Sequence, residues 1–498
     1  MQILIVVNDP QDWTLSIPGV ELVAARVYLT DPRYSLMRRV RVFNLCRAYR
    51  YQSVGYYVSL LGEARGHKPQ PSVATIQDMK LQTLARLYSE DLDELIQHCM
   101  RPIRSNRFAL SIYFGRNLAK RYGRLSLLLF NLFPAPLLRA HFVRDEEGAW
   151  RLQRIAPIPA SEIPASHQAF VTEAAQAYFS GQRRRVRSRP MRYDMAILFN
   201  ATDKIKPSNA RAIDKFIKAG KQLSIDAQIV DKSAIGRIAE YDALFIRETT
   251  SVNHHTYRFS RRAAAEGLAV IDDPDSILKC TNKVYLAQLL ERYKISAPKT
   301  LIIHRDNRAD IVRELGLPCI LKQPDSSFSQ GVVKVSTEAQ LEDMVERLLE
   351  KSELIVGQEY APTDYDWRVG VIDGVPLYVC KYHMAKNHWQ IVKHENDGET
   401  DYGKIETISL AATPKEVIDT AVKAAGLIGD GLYGVDLKQI GDRCHVIEVN
   451  DNPNVDASFE DAVLKEQLYL TIMESFLRRI ENRSGRSPTH EKKQTLSI

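Results

Sequence analysis

The sequence lacks most of what marks a secreted, membrane-spanning or metal-cluster protein. Its six cysteines, Cys46, Cys99, Cys280, Cys319, Cys380 and Cys444, lie far apart and form no CxxC pair. That argues against a zinc cluster and points to reduced, structural thiols. No apolar run approaches the ~18 residues that cross a bilayer. The opening MQILIVVNDP has no basic lead, and its apolar stretch is too short for a secretion signal. It reads as a first β-strand, so the expected location is the cytoplasm and no membrane is expected as a partner. There is no internal repeat. Hydrophobic residues make up 45% of the chain and charged residues 26%, a balance that excludes disordered, collagen-like and coiled-coil chains.

What is present is length and an uneven charge. A chain of 498 residues is enough for roughly three domains, each with its own core. The net charge of +7 hides a division: residues 1–192 hold 28 Lys and Arg against 15 Asp and Glu, whereas the remainder holds 40 against 46. A basic first part suits nucleic acid, an acidic peptide or an anionic small molecule, or is simply a solvated surface. No aromatic signature of RNA binding accompanies it, so nucleic acid is not the expected partner.

Patterning divides the chain further. Residues 1–159 alternate strand-like and helical runs and close on a hairpin whose turn is Asp145-Glu146-Glu147-Gly148. Residues 160–190 hold a helix over 166–179 and then RRRVRSR, read as a basic linker, or else as a localisation signal or phosphate-binding arm. Residues 191–275 form an α/β unit with short buried strands at 196–199, 226–230, 243–246 and 269–271. Residues 276–483 mix helices with antiparallel strands, and residues 484–498 are a polar, disordered tail. Thr337 with Gln340, and Thr413 with Pro414 and Glu416, mark two helix starts.

Chemistry concentrates in LYGVDLKQIGDRCHVIEVNDNPN, residues 432–454. Gly441-Asp442 predicts a hairpin with Asp436 on one strand and Glu448 and Asn450 on the next. Two carboxylates and an amide oxygen on neighbouring strands suit a hard cation such as Mg2+ or Mn2+, because buried charges need a partner. Register then becomes decisive. A strict two-residue turn sends Asp436 to the opposite face from Glu448 and Asn450. A three-residue loop, or an equivalent one-residue bulge, is therefore predicted. Lys322 ends a strand-like run before the small-residue loop 324–331, a pattern that can cradle phosphate. Gln358-Glu359-Tyr360 ends another strand, ahead of Asp366-Trp367-Arg368 and the Asp373-Gly374 turn.

In this order the three segments resemble the ATP-grasp fold, and most nearly the RimK-type carboxylate–amine ligases, over roughly residues 194–483. Residues 1–159 resemble the N-terminal domain fused to some RimK-like proteins. The resemblance implies an α/β and α+β chain in which a basic mixed N-terminal domain and a pre-ATP-grasp α/β domain precede the ATP-grasp domain. It implies ATP and Mg2+ as cofactors, with Asp436, Glu448 and Asn450 as metal ligands. Lys283 and Lys322 are then the phosphate-contacting lysines. Gln358, Glu359 and Tyr360 are the adenine hinge, and Asp366 is the ribose contact. Arg247, Arg368 and Lys322 are the expected catalytic residues. Arg247 is assigned to a substrate carboxylate beyond the third α/β strand, or to an ion pair with a neighbour such as Glu248. His254 and His255 read as polar surface. One departure stands out: Gln390 and Val392 fall where the family has arginine and asparagine, so Lys381, Lys386 or Lys393 supplies the missing charge. The reaction implied is ATP-dependent amide formation between a small-molecule or peptide carboxylate and an amino-acid amine, an acidic protein being a further substrate class, by a homo-oligomer. A phosphotransferase on the same fold and a non-catalytic module for an acidic partner are the competing readings.

Overall fold

The computed structural model describes residues 2–13, 15–80, 92–180, 191–203, 206–325, 331–385, 389–394 and 400–483. They form two compact units, residues 1–192 with 233–240 and residues 193–232 with 241–498. The basic run RRRVRSR and the polar tail lie outside the described residues.

The first unit opens with a parallel sheet of β1 (Gln2–Val7), β2 (Val20–Ala24), β3 (Val40–Asn44) and β4 (Lys68–Gln70), in the order β2-β1-β3-β4. Side chains alternate along β1: Leu4 and Val6 enter one core, while Ile3, Ile5 and Val7 enter another. Its second sheet is antiparallel: β5 (Arg107–Tyr113), β6 (Leu137–Arg144) and β7 (Trp150–Pro157). The expected hairpin is there, with Gly148 at φ +82° and the Asp145 carboxylate accepting from the Glu147 and Ala149 amides. A one-residue bulge follows, since His141 faces Arg154 but Phe142 faces Leu152. Gln153 is the extra residue. It lets Leu152 and Ile155, three apart, share one core with Ala140, Phe142 and Trp150. The helix Gln168–Ser180 matches the run read from sequence.

The second unit begins with the parallel strands β8 (Tyr193–Leu198), β9 (Ile225–Val230), β10 (Ala243–Ile246) and β11 (Ala269–Ile271), ordered β11-β10-β8-β9. From β8 the chain pairs to one side with β9, then crosses to place β10 on the other. The strand order therefore reverses between β8 and β10, where open α/β sheets place ligands beyond the strand C-termini. An antiparallel sheet follows, of β12 (Thr300–Ile303), β13 (Cys319–Lys322), β14 (Val332–Val335) and β15 (Ile355–Glu359), in the order β12-β15-β13-β14. The largest sheet takes β16 (Tyr365–Ile372) and β17 (Val375–His383). A small pair, β18 (Val392–His394) and β19 (Thr400–Tyr402), precedes its remaining members, β20 (Ile405–Ile408), β21 (Leu432–Ile440) and β22 (Arg443–Asp451). Its order is β20-β17-β16-β21-β22.

Trp367, Val369, Val371, Tyr433, Val435 and Leu437 bury one face of this sheet against the helix Lys415–Ile428. Of the two helix starts, Thr337 caps as expected: its hydroxyl accepts from the Gln340 amide at 3.3 Å, and Gln340 reaches back to the Ser336 amide. Thr413 does not cap. Its hydroxyl donates backwards to the Ser409 carbonyl at 3.0 Å, and Pro414 takes the cap position with no side-chain bond. Among the described residues no helix is long and apolar enough to cross a membrane.

Candidate functional site

The β21–β22 hairpin combines the two turn solutions weighed from sequence. The turn itself has two residues, with Ile440 opposite Arg443 and Gly441 at φ +58°. The three-residue loop is therefore not the one used. The slip comes from its equivalent, a one-residue bulge: Leu437 faces Val446 and Asp436 faces Glu448, leaving Ile447 as the extra residue. Without it, Glu448 would pair with Val435 and enter the apolar face. With it, Val435 meets Val449 in the core, while Asp436, Glu448 and Asn450 share the other face. Gly434, opposite Asn450, has no room for a side chain, since a Cβ there would sit 2.7 Å from the Pro453 Cβ.

This face is charged and enclosed. Arg368, the cross-strand partner of Asp436, grips that carboxylate with two bonds of 2.6 Å. The Asn450 amide donates to the same carboxylate at 3.2 Å. Lys283, first residue of the helix Lys283–Arg292, pairs with Glu448 at 2.9 Å. Burial pushes the Asp436 carboxyl up, against the pull of Arg368. Burial pushes Glu448 up too, but Lys283, Lys322 and Arg368 together hold it below its ordinary value. Lys322, at the end of β13, is buried, and burial brings its ammonium down to about 8, against the opposing pull of Glu448. Lys283, Lys322, Arg368, Asp436, Glu448 and Asn450 thus meet in one place. Of the loop after Lys322, residues 326–330 lie outside the described residues.

The remaining expected residues line the neighbouring strand ends. Gln358 is buried and donates to the Thr300 hydroxyl at 2.9 Å. Glu359 accepts from the Lys299 amide at 2.8 Å. The Tyr360 ring lies beneath the Lys334 ammonium, 3.8 Å from its centroid. Asp366 is held by Lys438 at 2.5 Å and by the Thr363 hydroxyl at 3.0 Å. Lys381 sits over the rings of Tyr365 and Trp367, at 4.4 and 4.9 Å. Lys386 lies outside the described residues, and of Lys393 only the backbone, in β18, is described.

Lys438 and Lys334 were missed from sequence. Lys438 was legible, since it stands two residues past Asp436 and must leave the same face. Lys334 carried no such signal.

The assignment of Arg247 to a substrate carboxylate needs correction. Its side chain is fully buried and donates to the Ser208 hydroxyl, the Asn452 side chain and the Pro207 and Pro453 carbonyls. It ties the loop after β8 to the chain leaving β22. Nor does it pair with Glu248, whose carboxylate instead meets His255 Nε2 at 2.6 Å. Nearby, burial and Asp451 push the Asp272 carboxyl far up, and burial lifts Asp451 to about 7.

The donor set fits magnesium. Among the described residues no group of three or more His, Cys, Asp or Glu could hold a metal alone. Two carboxylates and an amide oxygen are what a hard cation needs when phosphate oxygens and water complete its shell. Both carboxylates are already occupied by cationic side chains, which shows that the face favours positive charge.

The chain is similar to several known proteins. "Probable alpha-L-glutamate ligase" of Vibrio vulnificus (strain YJ016) is 27% identical over 233 residues, 46% of this chain and 74% of that protein. "Probable alpha-L-glutamate ligase 1" of Pseudoalteromonas atlantica is 27% identical over 223 residues, 44% of this chain and 71% of that one. Among solved structures, D-alanine–D-alanine ligase from Bacillus anthracis covers 59% of this chain and 99% of its own, at 14% identity and a TM-score of 0.48. The RimK domain ATP-grasp protein of Sphaerobacter thermophilus covers 57% and 98%, at 15% identity and a TM-score of 0.45. Residues 25–174 match the RimK-like ATPgrasp N-terminal domain and residues 280–467 the RimK-like ATP-grasp domain, and the chain belongs to this RimK-like ATP-grasp family.

Proposed function

We propose that the chain joins the amine of L-glutamate to a carboxylate of an acidic peptide or small molecule, in the cytoplasm. The reaction class is ATP-dependent carboxylate–amine ligation, with Mg2+. The observation that carries the reading is the bulged hairpin, which gathers Asp436, Glu448 and Asn450 on one face beside Lys283, Lys322 and Arg368. The choice of glutamate rests on the names of the relatives.

ATP supplies the phosphoryl group that activates the carboxylate as an acyl phosphate, and magnesium neutralises the charge that moves. The chain's own residues do the rest. Asp436, Glu448 and Asn450 would hold the metal, and Arg368 fixes Asp436 in orientation. Lys283 and Lys322 set positive charge against the phosphates. The backbone of Gln358–Tyr360 meets the adenine edge, and Asp366, steadied by Lys438, meets the ribose. Arg247 positions the chain that leaves the ligand strand.

The test supplies N-acetyl-L-glutamyl-L-glutamate and L-glutamate with Mg2+ and ATP, following ADP release and product mass. ADP release that needs both substrates, with a product heavier by one glutamyl residue, is expected. A stable phosphorylated product would favour a phosphotransferase. No turnover, with salt-sensitive binding of the acidic peptide, would favour a binding module.

A further inference from the structure

The loop after β10 reads RETTSVNHH, residues 247–255. It leaves the sheet at the point between β8 and β10 where the strand order reverses, so it lines the crevice in which such sheets take ligands. Glu248 is almost fully enclosed, its side chain 4% exposed, while the His255 side chain it meets is 20% exposed. His255 is also the first residue of the helix His255–Ala265, and the His254 ring lies tilted against it with ring centroids 4.0 Å apart. This is more than polar surface. A buried carboxylate binds one ring nitrogen, Nε2, of an imidazole that reaches solvent. Such a bond sets the tautomer: Nε2 carries the proton, and Nδ1 is left as the acceptor.

The pair is also tied to the catalytic hairpin. The Glu248 carbonyl accepts from the Asn452 side chain, and Asn452 stands two residues beyond Asn450. Arg247, next to Glu248, grips Asn452 and Pro453 from the other side. The charged groups acting on the neighbouring His254 are Glu248, Arg258 of the same helix, and Asp203 from the loop after β8. An imidazole held through Nε2, with Nδ1 left as an acceptor, is arranged as a general base needs to be.

We propose that His255, oriented by Glu248, is the general base that deprotonates the amine substrate. The inference rests on the ligase reading above and adds to it the residue for the second half-reaction. An amino-acid amine arrives as an ammonium and is not nucleophilic. His255 Nδ1 takes one of its protons. The nitrogen lone pair then forms the C–N bond at the acyl phosphate carbon, and the C–O bond to phosphate breaks with its electron pair. The second proton leaves with the phosphate, and the imidazolium returns its own to solvent. In this scheme His255 is a catalytic residue and Glu248 a positioning residue.

The experiment compares the full-length wild type with His255→Gln and Glu248→Gln, using N-acetyl-L-glutamyl-L-glutamate as the acid. The amine is either L-glutamate or hydroxylamine, whose nitrogen is unprotonated at neutral pH. Thermal shift with Mg-ATP checks that each variant folds and binds nucleotide. With glutamate, His255→Gln is expected to lose roughly 10²–10³-fold in amide formation, its residual rate rising with pH as free amine accumulates. With hydroxylamine its hydroxamate formation should return close to wild type. Glu248→Gln keeps the hydrogen bond without the charge and should show a smaller loss with the same rescue. Equal loss with both amines in a folded variant, while the wild type is active, would overturn the base assignment alone. A wild type that yields neither amide nor hydroxamate would overturn the ligase reading, and this proposal with it.

Discussion

Two hairpins, one in each unit, carry the same backbone device to different ends. In β6–β7 the extra residue is Gln153, and the bulge keeps Leu152 and Ile155 in one apolar core. In β21–β22 the extra residue is Ile447. There the bulge keeps Val446 and Val449 in the core while turning Glu448 and Asn450 toward Asp436. A bulge is thus only a change of register, and the residues on the second face decide what it is for. In β7 that second face carries exposed Arg151, Gln153 and Arg154. In the β21–β22 hairpin it carries two partly enclosed acids, Asp436 and Glu448, beside the enclosed cations Arg368 and Lys283. Exposed charge costs little, whereas enclosed charge must be matched by partners or by a ligand.

The comparison can be broken most forcefully at the acids. Replacing Glu448 with Gln should lower Mg-dependent ADP release by about 10³-fold, the scale of losing a charge-stabilising group at a reacting phosphate. Circular dichroism should be unchanged, and near-normal turnover would remove the metal assignment. Deleting Ile447 should remove the bulge yet leave Asp436 opposite Glu448 and Val435 opposite Val449, so the thermal shift with Mg-ATP should persist.

In the first hairpin the corresponding loss is one of stability. Replacing the buried Ile155 with Ala should cost about 2–5 kcal/mol, measured by denaturant unfolding. If the first unit takes no part in phosphoryl transfer, the protein that remains folded should still bind ATP.

Lys322 sharpens the same contrast through pH. Burial lowers its pKa to about 8 in the folded chain, whereas the unfolded chain keeps the ordinary lysine value near 10.5. Between those values the unfolded state binds the extra proton, so this lysine's unfavourable contribution is full below pH 8 and fades as pH rises. Nucleotide binding should run the other way. A triphosphate favours the ammonium, so calorimetry near pH 8 in buffers of different ionisation enthalpy should show proton uptake, absent in Lys322→Met. The smallest effect is expected at the Thr337 cap: Thr337→Ala should cost about 1 kcal/mol of stability.

Much of the architecture was legible because local patterns and burial agree. The strands at 243–246 and 269–271 were read to the residue, since short apolar runs between turn residues have few other places to go. The ligand face was legible through chemistry: three oxygen donors had to share a face, and that demanded an extra residue somewhere in the hairpin. Where it fell was not legible. A bulge within β22 and a longer turn satisfy the same side chains, and only the pairs nearest the turn, such as Ile440 with Arg443, separate them. Arg247 failed for a different reason. Position after a strand shows that a residue reaches the crevice, yet not whether its donors go to a ligand or to the next loop. Thr413 failed similarly, because a hydroxyl beside a proline can bond backwards as readily as forwards.

The cysteines give the molecule an unused clock. All six are free thiols and buried. Burial raises each of them, Cys46 and Cys380 to about 12 and Cys444 to about 11. A thiolate is the form that reacts with alkylating agents, so the closed protein should be slow to label at every one. Cys46 and Cys99 belong to the first unit, and Cys280, Cys319, Cys380 and Cys444 to the second. Timed alkylation read by mass spectrometry should therefore date the opening of each unit separately. Nucleotide should delay Cys280 and Cys319, which flank Lys283 and Lys322 in sequence, while leaving the clock of the first unit unchanged.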